Sequence, residues 1–143
     1  MASESDHTPQ EARSDPPLRR LRRRRAARRP RLFQRVQVVG RSMLPAIAPG
    51  DRLVVVRRLR IRPGAVVALA EPRRPGGAAG DRIPLTLVKR VSAVEGDAVW
   101  VHGDNAAEST DSRHWGPVPR RAIHGVAIYR YAPASRAGRL RPR

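Results

Sequence analysis

The 143-residue chain contains no cysteine, which excludes a disulfide framework, a thiol nucleophile and any thiolate metal site. Aromatic residues make up only 3% of it, so base-stacking platforms for single-stranded nucleic acid are scarce. No apolar run approaches the ~18–20 residues of a membrane span, and no apolar stretch of ~7–15 residues follows the arginine-rich start as it would in a signal peptide. No long segment keeps a helical period. Lysine is nearly missing as well: of 30 basic residues only Lys89 is lysine. Arginine stays protonated in proteins, whereas a buried lysine can lose its proton and act as a general base. A lone lysine among arginines is therefore a candidate for a group that works in its neutral form, against the plainer reading of a surface cation.

What is abundant is positive charge, +18 in all, unevenly spread. Residues 1–35 hold 11 Arg and 4 acids, residues 36–131 hold 15 basic and 8 acidic residues, and residues 132–143 hold 4 Arg. Three parts are expected: a disordered arginine-rich N-terminal tail (1–35), one small domain (36–131), and a basic C-terminal tail (132–143) too polar to join the core. The run from Arg19 to Arg35 suits weak contact with an anionic membrane surface or nucleic acid, although Phe33 is the only aromatic near it. Its bland alternative is a solvated tail. With no transmembrane segment in view, a soluble, cytoplasmic protein is expected.

From Val36 onward, short runs of valine, leucine and isoleucine alternate with Pro-Gly, Gly-Asp and Gly-Asp-Asn punctuation. This pattern predicts an all-β fold, with strands at 34–39, 52–59, 65–70, 85–94, 98–102 and 122–131. Residues 71–84, with three prolines and three glycines, predict an exposed loop.

Gly40-Arg41-Ser42-Met43-Leu44-Pro45 lies just past the first predicted strand, where a sharp bend would expose the Ser42 hydroxyl. A serine is a weak nucleophile without a base, and one recurring solution is a serine–lysine dyad that uses no histidine. Lowering lysine from about 10.4 to roughly 7–8 requires an environment that disfavours the ammonium by about 3–4 kcal/mol. Leu85, Leu87, Val88, Val91 and Val94 would supply that burial around Lys89, with Arg90 pointing to the opposite face of its strand.

Four blocks in order resemble the serine–lysine signal peptidase I superfamily, and within it the short branch of nickel-type superoxide dismutase maturation proteases. They are the Ser42 block; Pro49-Gly50-Asp51-Arg52-Leu53-Val54-Val55; Val88-Lys89-Arg90-Val91 with Glu95-Gly96-Asp97; and Gly103-Asp104-Asn105 with Ser109, Asp111-Ser112-Arg113 and Trp115-Gly116-Pro117-Val118-Pro119. The resemblance implies a small, partly open, coiled β-barrel-like peptidase domain. It implies Ser42 as the nucleophile, Lys89 as the base and Ser109 as the residue orienting the lysine amine. The backbone at Ser42 and Gly40 would form the oxyanion region, but Gly40 stands where bacterial signal peptidases often carry a hydroxyl, leaving the second donor open. Asp111 and Arg113 are expected as a structural ion pair, Gly103, Asp104 and Asn105 as the shapers of a turn, and Met43 and Pro45 as substrate-binding residues, Met43 alternatively packing beneath the turn.

The resemblance further implies a serine endopeptidase without a cofactor, its protein substrate the nickel superoxide dismutase precursor with its N-terminal extension. His7, His102, His114 and His124 show no metal-ligand spacing, so no bound metal is expected. Two alternatives stay open: a related signal-peptidase-like processing peptidase with another substrate, and a non-catalytic basic nucleic-acid-binding module.

Overall fold

A computed structural model describes residues 31–72 and 86–143. The expected disordered tail falls almost wholly outside the described residues, as does the expected loop from residue 73 on. The regular structure described is mostly strand: β1 (Phe33–Gln37), β2 (Arg52–Val56), β3 (Val66–Ala70), β4 (Thr86–Glu95), β5 (Ala98–His102), β6 (Val118–Pro119), β7 (Ile123–Ala132) and β8 (Gly138–Arg139). Among the described residues the one α-helix, α1 (Ser112–Trp115), is a single turn.

The strands form one open antiparallel sheet in the order β1-β2-β7-β3-β4-β5-β6, with β8 added to β7. The expected all-β class holds. β3 shows why the sheet curls over its core: its run Val-Val-Ala-Leu leaves no polar face, so both faces must be covered. Val66 and Ala68 pack with Val36, Leu53, Val55, Met43 and Ile47, while Val67 and Leu69 pack on the other side with Val91, Val99 and Val101. β4 and β5 meet at Gly96-Asp97, where Gly96 has φ 60°, the left-handed geometry that a tight hairpin turn needs and glycine accepts freely.

Two sequence expectations change. β2 stops at Val56 rather than running to residue 59, because Arg57 and Arg58 turn the chain away. The C-terminal residues are no free tail: β8 pairs with β7, Leu140 packs against the first core cluster, and its N–H reaches the Ile128 carbonyl at 2.9 Å. The charge that argued against this packing is used inside it. Asp51, 1% exposed, lies 3.0 Å from Arg130 Nη1 and 3.2 Å from Arg136 Nη1, and Arg130 also donates to the Ala46 carbonyl. These contacts tie the loop between β1 and β2 to the C-terminal third.

Asp51→Ala should therefore lower unfolding stability by about 2–3 kcal/mol, because it strands a largely buried guanidinium. Urea denaturation measures this, and an unchanged midpoint would contradict it.

Candidate active site

Lys89 sits in the middle of β4, opposite Val67 of β3, on a strand flanked by β3 and β5. Strand alternation puts Leu87 and Val91 on its own face, and the residue is 3% exposed. Burial pushes its pKa down from the ordinary value of 10.5, the nearby Asp111 carboxylate opposing this and Arg113 adding to it. Arg90, its neighbour, turns to the opposite face and forks onto Asp104, with Nε–Oδ1 and Nη2–Oδ2 both at 2.7 Å. Its third nitrogen donates to the Gly64 carbonyl at 2.8 Å.

The polar groups around the lysine form a chain with one direction. Asp111 is fully buried. Burial alone would raise its pKa, but the Arg113 guanidinium, the Ser109 hydroxyl and the N–H groups of Gly103 and Arg113 hold the carboxyl far below the usual range. Arg113 grips it bidentately, Nε–Oδ1 at 2.8 Å and Nη2–Oδ2 at 2.7 Å. An ionised carboxylate only accepts, so the single Ser109 proton goes to Asp111 Oδ2, 2.6 Å away. Ser109 Oγ must then accept from Lys89 Nζ, at 2.8 Å. A neutral amine that donates one proton in this way keeps its lone pair free for a proton from elsewhere.

The Ser42 turn meets this chain at Gly103. A Cβ on Gly103 would overlap Ser109 Oγ and the Ser42 carbonyl oxygen, so only glycine lets the two approach. The Asn105 N–H donates to that same carbonyl at 2.8 Å, and Asn105 Nδ2 reaches the Arg41 carbonyl at 3.3 Å. Beneath the turn, Met43 and Ile47 are 1% and 0% exposed, and each such side chain contributes about 1.5–3 kcal/mol of burial. Ser42 itself is half-buried and Pro45 exposed. Among the described residues no hydrogen bond joins Ser42 to Lys89; the two are connected through Gly103 and Ser109.

Several sequence expectations can be compared with this geometry. Ser109 and Lys89 are in contact, and Asp111 and Arg113 are paired. Asp111 does more than pair, since it also orients Ser109. Met43 is the correction: its side chain packs into the core and presents almost no surface to a bound peptide. Gly40 has open space where a side chain would stand. The Arg90–Asp104 fork and the hold of Asn105 on Ser42 join residues distant in sequence, and no spacing signalled them. No three histidine or carboxylate side chains converge on a metal position among the described residues.

Gly103→Ala should cost stability and remove whatever activity Ser42 has, because neither the Ser42 backbone nor the Ser109 hydroxyl can yield without breaking a hydrogen bond. Unfolding midpoint and turnover measure the two effects. Lys89→Met should raise stability at neutral pH, since burial disfavours the ammonium form that this lysine carries in the unfolded chain. The wild-type unfolded state binds more protons between the lowered pKa and 10.5, so wild-type stability climbs through that window and the gap should narrow. A gap that widened with pH would refute the burial argument.

Comparison with known proteins matches the signal peptidase family, peptidase S26, over residues 26–102 and 97–132. The chain is 36% identical over 129 residues to the mitochondrial ATP-independent inner membrane protease subunit 1a of Arabidopsis thaliana, covering 77% of each chain. It is 34% identical over 122 residues to the human mitochondrial inner membrane protease subunit 1, covering 74% of each. A 49-residue segment is 47% identical to signal peptidase I of Leptolyngbya laminosa, covering 34% of this chain and 24% of that one. These names do not support the expected nickel superoxide dismutase branch. The inner membrane location they carry also overturns the cytoplasmic expectation, which rested on hydropathy alone. The chain belongs to the signal peptidase family, peptidase S26.

Proposed function

We propose that this member of the family is a serine endopeptidase in which Ser42 and Lys89 form the catalytic dyad and Ser109 and Asp111 position the lysine. The observation that carries this reading is the buried Lys89 amine, hydrogen-bonded to Ser109 at 2.8 Å with its pKa lowered by burial. Neutral Lys89 takes the Ser42 proton as Oγ attacks the scissile carbonyl, and the Ser42 N–H donates to the developing oxyanion. The lysine then protonates the leaving amine. Water, deprotonated by the same amine, attacks the acyl-serine ester and releases the acid product, which restores the free hydroxyl.

The substrate we propose is an extended segment of a protein processed at a membrane surface, rather than the nickel superoxide dismutase precursor. The mitochondrial relatives support this choice by name and by covering about three quarters of the chain. No helix among the described residues is long and apolar enough to cross a membrane. A peptide in strand form would lie beside the Ser42 turn, where Val39, 81% exposed, and Pro45 offer apolar surface. A non-catalytic nucleic-acid-binding role would need neither a buried lysine nor its hydrogen bond to Ser109.

Incubation with signal-peptide-bearing precursors, followed by mass, tests the reading. Ser42→Ala and Lys89→Met should each lower turnover by about 10³-fold or more while the fold is kept. Cleavage that persisted in both variants would sink the dyad. The wild-type rate should rise with pH as Lys89 loses its proton, with a midpoint below 10.5. Gly40→Ser, placed in open space, should raise kcat by supplying a second oxyanion donor, an interaction whose loss typically costs about 2.7–4 kcal/mol.

A further inference from the structure

The far end of the β1–β2 hairpin carries a feature that the proposed chemistry leaves unused. The Ser42 turn joins the end of β1 to the start of β2; the opposite ends, Phe33 and Val56, pair with each other. Five residues of strand at ~3.3 Å each separate the two ends by about 17 Å. At the end away from Ser42, Leu32, Arg57, Arg58, Arg121, Ile123 and His124 line an open cavity of about 290 Å³.

Three features of this cavity point to an anion. Arg57, Arg58 and Arg121 line it together with no carboxylate, and among the described residues none of the three has one within 4.0 Å. Three arginines around one cavity whose lining has no carboxylate leave an excess of positive charge that an anion would balance. Arg58 has φ 64°, a left-handed conformation that glycine adopts more readily. Backbone geometry thus favours glycine here, so the guanidinium rather than the turn accounts for the residue. His124 Nδ1 is buried with no hydrogen-bond partner among the described residues, and burial, then Arg57, favour its neutral ring.

We propose that Arg57, Arg58, Arg121 and His124 form a binding site for a phosphate ester, with the headgroup of an anionic phospholipid as its source. Guanidinium forks match phosphate oxygens bidentately. The lipid source follows from the surroundings: Leu32, which lines the cavity, and Phe33 beside it are 53% and 59% exposed, apolar groups suited to the boundary between headgroups and acyl chains. Since the site is remote from Ser42, a bound headgroup places the protein at the surface without touching the catalytic groups. The proposal does not depend on the peptidase reading.

The test uses the full chain, the variant Arg57→Gln/Arg58→Gln/Arg121→Gln, and a control with Arg22, Arg23, Arg24 and Arg25 changed to Gln, which separates the N-terminal run from the cavity. Sedimentation with phosphatidylcholine vesicles containing roughly a third phosphatidylglycerol reads membrane binding; the triple variant should lose about a hundredfold in partitioning, near fivefold per arginine. Arg58→Gly should keep or raise the unfolding midpoint while losing about fivefold, an outcome that a purely structural arginine would not give. In a second arm, glycerol 1-phosphate without vesicles should shift the His124 ring resonances in wild-type protein and not in the triple variant. Losses in both arms support the phospholipid headgroup. A response to glycerol 1-phosphate with unchanged vesicle binding keeps the phosphate-ester site but overturns the lipid source. Unchanged vesicle binding with no His124 response overturns the site.

Discussion

Asp111 is buried yet ionised, and this condition orders the polar groups about it. A carboxylate out of reach of water is tolerable only when its oxygens are well supplied with donors, and here Arg113, Ser109 and the Gly103 N–H supply them. Because the carboxylate cannot donate, Ser109 has no choice of direction, and its lone pairs turn to Lys89. The same donors bind three parts of the chain: the end of β5 through Gly103, the segment after it through Ser109, and α1 through Arg113. Lys89 is thereby held in one orientation within a site that lowers its basicity.

The Ser42 turn has no regular secondary structure to fix it, so it is held from several sides. Met43 and Ile47 anchor it in the core, Asn105 holds the Ser42 carbonyl, and Asp51 with Arg130 and Arg136 secures its return into β2. Such support matters because displacing a reacting group by about 1 Å can cost a hundredfold in rate. The basic C-terminal segment thus belongs to the scaffold of the site: two arginines that read as solvated charge from composition are drawn in by one buried aspartate.

Much of the fold was legible because its signals are local. Valine-rich runs divided by glycine and proline turns located six strands to within a few residues. The two-residue β6 and β8 were not legible, since neither is long enough to carry an alternation. In the site, the isolation of Lys89 among arginines marked it out, and the order of the sequence blocks led to the family. The expected branch and cytoplasmic location did not hold: the four blocks mark the family without marking a branch of it, and hydropathy alone does not give a location.

By itself, the amino-acid sequence determined the all-β class, the absence of thiol chemistry, and which serine and lysine stand in family-like blocks, because backbone preference and side-chain chemistry are properties of neighbouring residues. Only the tertiary structure decided how those residues meet. The closeness of Ser42 and Ser109 depends on a missing Cβ at Gly103, the direction of the Lys89 hydrogen bond on a carboxylate 22 positions away, and the packing of the C-terminal arginines on Asp51. Each is a contact between segments far apart in the chain, where distance and burial, rather than local preference, set the energy.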